Sequence, residues 1–290
     1  MAGLSDSDRT EVLAAVQKKI SRFPRDHPPV EMARDIHALV RARAGVMDPY
    51  AVIKSESNEA CQSSMPMLEQ RVARACDPLS AALKLAIAGN ILDFGAYSAT
   101  HVLYRDVTEI AETVLAQPLS GDDPDTVRKV VQEAKVILYV GDNAGECFFD
   151  RLLLERLPLA KLTYAVRGGP ILNDATLEDA RAAGIQNVCT LIDTGDQAPG
   201  VVLKDCSRQF QNAFELSDVV IAKGQGNYES LSGRSDRTYV FVTKVKCEVL
   251  AKDIGFAVGS NVVRVMRPEP GAGTSAETHN KKAKMEVQHA

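Results

Sequence analysis

Aspartate and asparagine stand side by side at Asp142 and Asn143, within the stretch VILYVGDNAGE. Both carry hard oxygen donors, which suit Mg or Mn better than a metal that seeks thiolate. Further along come Asn173 and Asp174 in RGGPILNDAT, then Asp193, Thr194, Gly195 and Asp196. After these the chemistry changes sign. KGQGN supplies Lys223, Gly224, Gln225, Gly226 and Asn227, and TKVKC supplies Lys244 and Lys246. Oxygen donors come first, lysines and small residues later. Brought together, the two sets form a metal-binding half and an anion-binding half. Metal-assisted phosphoryl chemistry needs this layout: a cation to neutralise and orient, with lysines and backbone N–H groups to hold phosphate oxygens. A separate polar group, Gly89, Asn90 and Asp93, ends the apolar helical pattern DPLSAALKLAIAGNILDFG.

The elements between these residues explain how they are gathered. Each polar group directly follows a short apolar run: VILYV, LTYAV, NVCTLI, DVVIAK and TYVFVT, with NVVRVM closing the series. Helical patterns alternate with them, at 147–157, 176–183, 206–216, 227–231 and 247–254. Such alternation predicts right-handed βαβ units and an α/β fold, a Rossmann-like, mostly parallel sheet with helices on both faces, over residues 127–268. Ligands of open α/β sheets bind outside the carboxyl ends of the strands, where all of these residues fall. Residues 1–118 read instead as an N-terminal helical domain, with capping residues and apolar positions at helical spacing. GDDPDT, residues 121–126, reads as a turn-rich link. Residues 269–290 are polar and aperiodic and read as a disordered tail.

Composition narrows the function classes. A net charge of −4 argues against a nucleic-acid protein that works by its overall field. No apolar run of membrane-spanning length occurs. The acidic start, MAGLSDSD, lacks a signal core, so the expected location is the cytoplasm. None of the six cysteines forms a C-x-x-C pair, so reduced, scattered thiols are expected rather than a disulfide framework or zinc site.

GDNAGE, GGPILNDAT, SDVVIAKGQGNYESL and KVKCEVLA, in that order, resemble the damage-control phosphatase family, also called domain of unknown function 89. AIAGNILDFG and PYAVIKSESN resemble its helical N-terminal part, so the likeness runs from about residue 30 to about residue 260. The resemblance implies a metal-dependent phosphatase acting on a small phosphorylated metabolite: a sugar phosphate, a nucleotide or a related damaged compound. It implies a divalent metal (Mn, Mg, Co or Ni) on Asp142, Asn143 and Asp174. It places Lys246 on the substrate phosphate, and Lys223, Gly224, Gly226 and Asn227 in a phosphate cradle. Asn90 and Asp93 would reach in from the helical part. Asp93, Glu146 and Asp196 are candidates to orient water, and Glu146 is a candidate substrate contact. The sequence departs from the family pattern in lacking an N-terminal C-x-x-C segment and in having Val249 where a proline is usual. It leaves the oligomeric state open.

Taken singly, each element has an ordinary reading. An Asp-Asn turn is often a hydrogen-bonded loop, NDAT suits a helix cap, and KGQGN suits a βα turn. Glu146 also suits the start of a helix. Two other functions fit parts of the chain: S-adenosylmethionine-dependent methyl transfer to protein carboxylates, described for a distant branch of the family, and non-catalytic binding of a phosphometabolite. The methyltransferase reading lacks the G-x-G of a nucleoside-binding turn.

Overall fold

The computed structural model describes residues 6–24, 27–88, 107–158 and 161–268. Asn90, Asp93 and the tail over 269–290 lie outside the described residues. The helical part comprises α1 (Asp6–Arg22), α2 (Pro29–Ala44), α3 (Ala51–Arg74), α4 (Pro78–Ala88) and α5 (Val107–Ala116). Asp77 caps α4, its Oδ1 accepting from the backbone N–H groups of Leu79 and Ser80. Leu79, Ala81–Leu83 and Leu85–Ala88 are all buried, so α4 is apolar nearly all round and serves as a core helix.

The alternating part comprises β1 (Ser120–Gly121), α6 (Pro124–Glu133), β2 (Ile137–Val140), α7 (Glu146–Leu154), β3 (Leu162–Val166) and α8 (Leu177–Ala182). It continues with β4 (Thr190–Asp193), α9 (Arg208–Leu216), β5 (Val219–Lys223), α10 (Gly224–Leu231), β6 (Thr238–Lys244), α11 (Glu248–Ile254) and β7 (Asn261–Met266). The seven strands form one sheet in the order β1-β7-β6-β5-β2-β3-β4. All neighbours are parallel except β6 and β7. The mostly parallel α/β architecture is as the alternation predicts.

Period-two alternation divides the sheet between two cores. Ile137, Tyr139, Tyr164, Val219 and Ile221 join α3, α4, α5 and α7 in one core. Leu138, Val140, Ala165, Val220 and Ala222 join α9, α10 and α11 in the other. The helical part thus covers one face of the sheet. A fully buried side chain of Leu or Phe size contributes roughly 1.5–3 kcal/mol, so both faces stabilise the sheet strongly.

Four local expectations are corrected. The 121–126 link is a strand end followed by a helix: Asp123 caps α6 by accepting from the backbone N–H of Thr126, and Pro124 takes the first helical position. β1, only two residues long, has no periodicity to read. Val188 and Cys189 precede β4 rather than joining it, because a 3-10 turn over Ile185–Asn187 runs up to them. KGQGN is not a loop: helix α10 begins at Gly224, directly after the strand. All six cysteines are free. Among the described residues no helix is long and apolar enough to cross a membrane.

Candidate active site

The carboxyl ends of β2 and β3 are laced together. Gly141 N–H donates to Ala165 O (2.9 Å), Ala144 N–H to Asn173 O (2.9 Å) and Ala175 N–H to Asp142 O (2.7 Å). Asn143 and Asp174 face one another in an isolated antiparallel bridge. Residues 31 positions apart in sequence are therefore held side by side by backbone alone. Leu172 sits at φ 47°, a left-handed conformation rare for a branched side chain, in the turn that presents Asn173 and Asp174. Asp174 does not cap the following helix; Thr176 does, in a capping box with Asp179.

A cavity of about 260 Å³ opens at this point. Asp142, Asn143, Asn173 and Asp174 line it from the β2 and β3 ends. Gln225, Gly226 and Glu229 line it from α10, Lys246 from beyond β6, and Pro29, Val30 and Ala33 from the start of α2. Arg34 anchors α2 over the site by donating to both Asp196 oxygens (2.9 and 2.8 Å) and to Asp205 (2.9 Å). That anchorage answers for Asp196: its carboxylate holds α2 and does not line the cavity, so it is set aside as a water-orienting residue.

Beneath the cavity lies Arg167, at 1% exposure. Its Nε donates to Asp174 (2.7 Å) and its Nη1 to Asn227 (3.0 Å). Its Nη2 stands 3.6 Å from Asp142 and has no hydrogen-bond partner. Burial, joined by the neighbouring Asp174 carboxylate, pushes the Asp142 carboxyl up to about 7, against the pull of Arg167, Lys246 and Lys223. The sequence reading missed Arg167, although it directly follows β3 in RGGPILNDAT. A cation at a strand end beside two acids was the available signal.

A deeper layer supports the first. Asn143 Nδ2 donates to Glu146 (2.6 Å) and to Asp142 (3.2 Å), which leaves its Oδ1 as the donor atom for a ligand. Glu146 in turn accepts from Lys223 Nζ (2.7 Å), which also donates to Asp150 (2.9 Å). Tyr139 and Tyr164 donate to the two Asp150 oxygens (2.7 and 2.8 Å). Burial alone lowers the Lys223 ammonium, but Asp150 and Glu146 outweigh it and hold the group charged.

Three cradle or contact assignments change accordingly. Lys223 is fully buried and committed to two carboxylates, so it is not a phosphate contact. Glu146 faces Asn143 and Lys223 rather than the cavity, which removes it as a substrate contact or water-orienting base. Asn227 donates to Gly141 O (3.0 Å) and Lys223 O (2.7 Å) and accepts from Arg167, so it staples strand ends instead of binding a ligand. Gly224 has a packing task. It adopts φ 76°, and a Cβ there would lie 1.9 Å from Asp142 Oδ2, so only glycine lets the carboxylate rest against α10. Gly226 and Lys246 do line the cavity.

The family model of the damage-control phosphatase ARMT1-like domain matches residues 2–262. The chain belongs to the damage-control phosphatase family. A damage-control phosphatase of Archaeoglobus fulgidus is 35% identical over 238 residues, 81% of this chain and 82% of that protein. A damage-control phosphatase of Pyrococcus horikoshii is 36% identical over 218 residues, 74% of each chain. The crystal structure of a DUF89 family protein from Pyrococcus horikoshii superposes with a TM-score of 0.80 at 32% identity, covering 91% of both chains. The names of these damage-control phosphatases agree with an enzyme of the phosphatase class. Nor does the site favour the nucleoside reading of GDNAGE. A Cβ at Gly145 would meet Ser57 Oγ at 2.2 Å and Cys61 Sγ at 2.9 Å, so this glycine admits α3 and not a nucleotide.

Proposed function

We propose that the protein is a metal-dependent phosphatase that hydrolyses a small phosphorylated metabolite at the cleft between Asp174 and Lys246. One observation carries the metal part: the charge balance of the buried cluster. Asp142, Asp174, Glu146 and Asp150 supply four carboxylates, and Arg167 and Lys223 supply two cations. Two negative charges remain in excess, the complement of one divalent ion. The donor set agrees. Among the described residues no three His, Cys, Asp or Glu side chains form a metal cluster. Two carboxylates with one amide oxygen match the few protein ligands that Mg or Mn takes when substrate phosphate and water fill the rest.

Asp142, Asn143 and Asp174 would hold the ion, with Mn, Mg, Co and Ni as the candidates. Once bound, it polarises a phosphoryl oxygen and offsets developing charge. The chain does the rest. Lys246 meets the phosphate from the opposite wall. Glu146 fixes the Asn143 amide so that its oxygen faces the ligand. Arg167 keeps Asp174 turned inward. The start of α2 covers the cavity and limits water. Among the described residues, Asp142, Asp174 and Glu229 are the carboxylates that line the cavity, so a group that orients the attacking nucleophile is sought there. The cavity volume suits a compact phosphomonoester.

The test is release of phosphate from p-nitrophenyl phosphate and from a panel of sugar and nucleotide phosphates with each metal in turn. Metal-dependent release that Asp174→Ala lowers by on the order of a hundredfold or more is expected. No release with any metal, or full release by that variant, would overturn the assignment.

A further inference from the structure

The wall of α10 presents a carboxylate, Glu229, to the same cavity that holds Asp142 and Asp174. Neither the arginine layer nor the lysine layer beneath the site uses it. Its position is fixed. Gln225, one turn earlier, donates from Nε2 to Glu229 Oε1 at 2.7 Å, and the same amide contacts Cys247 Sγ at 3.8 Å. Gly224, against which Asp142 rests, lies five residues before Glu229 on the same helix, about 7.5 Å along its axis at 1.5 Å per residue. Glu229 therefore stands about one small substituent away from the phosphate end. The wall opposite α10 adds no compensating charge, since Pro29, Val30 and Ala33 are apolar.

We infer that Glu229 is a specificity-determining residue, selecting phosphomonoesters whose leaving group carries hydroxyls there and turning away those with a second negative charge. This rests on the phosphatase reading above. A carboxylate accepts hydrogen bonds from hydroxyl groups at no electrostatic cost, whereas a second anion about 7 Å or less away in a partly desolvated cleft is repelled. Lys246 is then matched to the phosphate alone, and the cleft carries opposite signs at its two ends.

The experiment uses the full chain loaded with Mn and turning over p-nitrophenyl phosphate. Glycerol 3-phosphate and 3-phosphoglycerate, which differ by a carboxylate in place of a hydroxymethyl group, are compared as competitors. In the wild type, glycerol 3-phosphate is expected to inhibit more tightly, by on the order of tenfold. Glu229→Gln is expected to collapse that ratio to near one, and Glu229→Asp to keep most of it. Equal inhibition in the wild type, or an unchanged ratio in Glu229→Gln, overturns the inference and leaves the phosphatase assignment standing. Circular dichroism establishes that each variant is folded. If Glu229→Gln is not, the wild-type ratio together with Glu229→Asp decides. Absence of p-nitrophenyl phosphate turnover with every metal overturns the phosphatase reading and the inference with it.

Discussion

Two pairs of carboxylates sit within one layer of each other, and each has one cation. Glu146 and Asp150 share Lys223, and every oxygen of Asp150 is further taken by a tyrosine. Asp142 and Asp174 share Arg167, but the sharing is unequal. Arg167 donates to Asp174 at 2.7 Å, stays 3.6 Å from Asp142, and keeps Nη2 unpartnered. The first pair is closed and the second is open. A buried polar network that satisfies all its members fixes a structure, while one left incomplete at a cleft is available for a ligand. The contrast separates what holds this fold from what the fold is for.

The widest break in that comparison comes from its two lysines. Lys223→Met leaves Glu146 and Asp150 buried without a cation and should lower the unfolding free energy by about 3–5 kcal/mol in a urea titration. Lys246→Met, at the cavity rim, should stay within about 0.5 kcal/mol of wild type in the same titration while reducing kcat/KM. If the two variants are equally stable, the lower network is not closed in the sense described. Metal sharpens the other side. Mn at a hundred times its dissociation constant should raise the unfolding free energy by about 2.7 kcal/mol, and Asp142→Asn should abolish the rise in a thermal scan. A Tyr164→Phe exchange removes one donor to Asp150 and should cost about 1.5–3 kcal/mol, with the metal response retained.

The smallest effect concerns a third ion cluster, away from both. Burial pushes Asp236 up, but hydrogen bonds from Arg234, Tyr239 and Arg237 outweigh it and hold the carboxyl well below its ordinary range. A carboxyl depressed by folding adds stability above its unfolded pKa of about 4 and loses it as pH falls further. The urea midpoint should therefore drop below pH 4 in the wild type, and drop less in Asp236→Asn.

Much of this was legible in the chain. Parallel strands buried on both faces read as unbroken apolar runs, and five of them gave away the sheet. Asp142, Asn143, Asp174 and Lys246 were legible as a set because each follows a strand, and all four line one cavity. Which side of the sheet a residue takes was harder. Lys223 was grouped with Lys246 although it is the last residue of β5, two positions after Ile221 and four after Val219. Period two puts it on their face, under α7, where Glu146 and Asp150 wait. That signal was present and unused. The first turn of α10 was hidden by its two glycines, which suit a loop until the close approach of Asp142 explains one of them. Arg167 was hidden by its neighbours, because RGG reads as a turn and not as a buried guanidinium.

The pairing of β1 with β7 bears on how the molecule comes into being. Ser120 and Gly121 lie beside Val262 and Val263, and Val265 N–H donates to Asp122 at 2.7 Å. Every described residue of the cavity precedes position 247, yet the sheet cannot be sealed until residues some 140 positions after β1 have been made. During synthesis the nascent chain would carry a finished catalytic pocket on an unfinished sheet, with the long apolar edge of β6 still bare. Contacts this distant in sequence form slowly, and an open strand edge invites pairing with another chain. The closing strand is then the place where assembly of a competent molecule and its loss to aggregation compete.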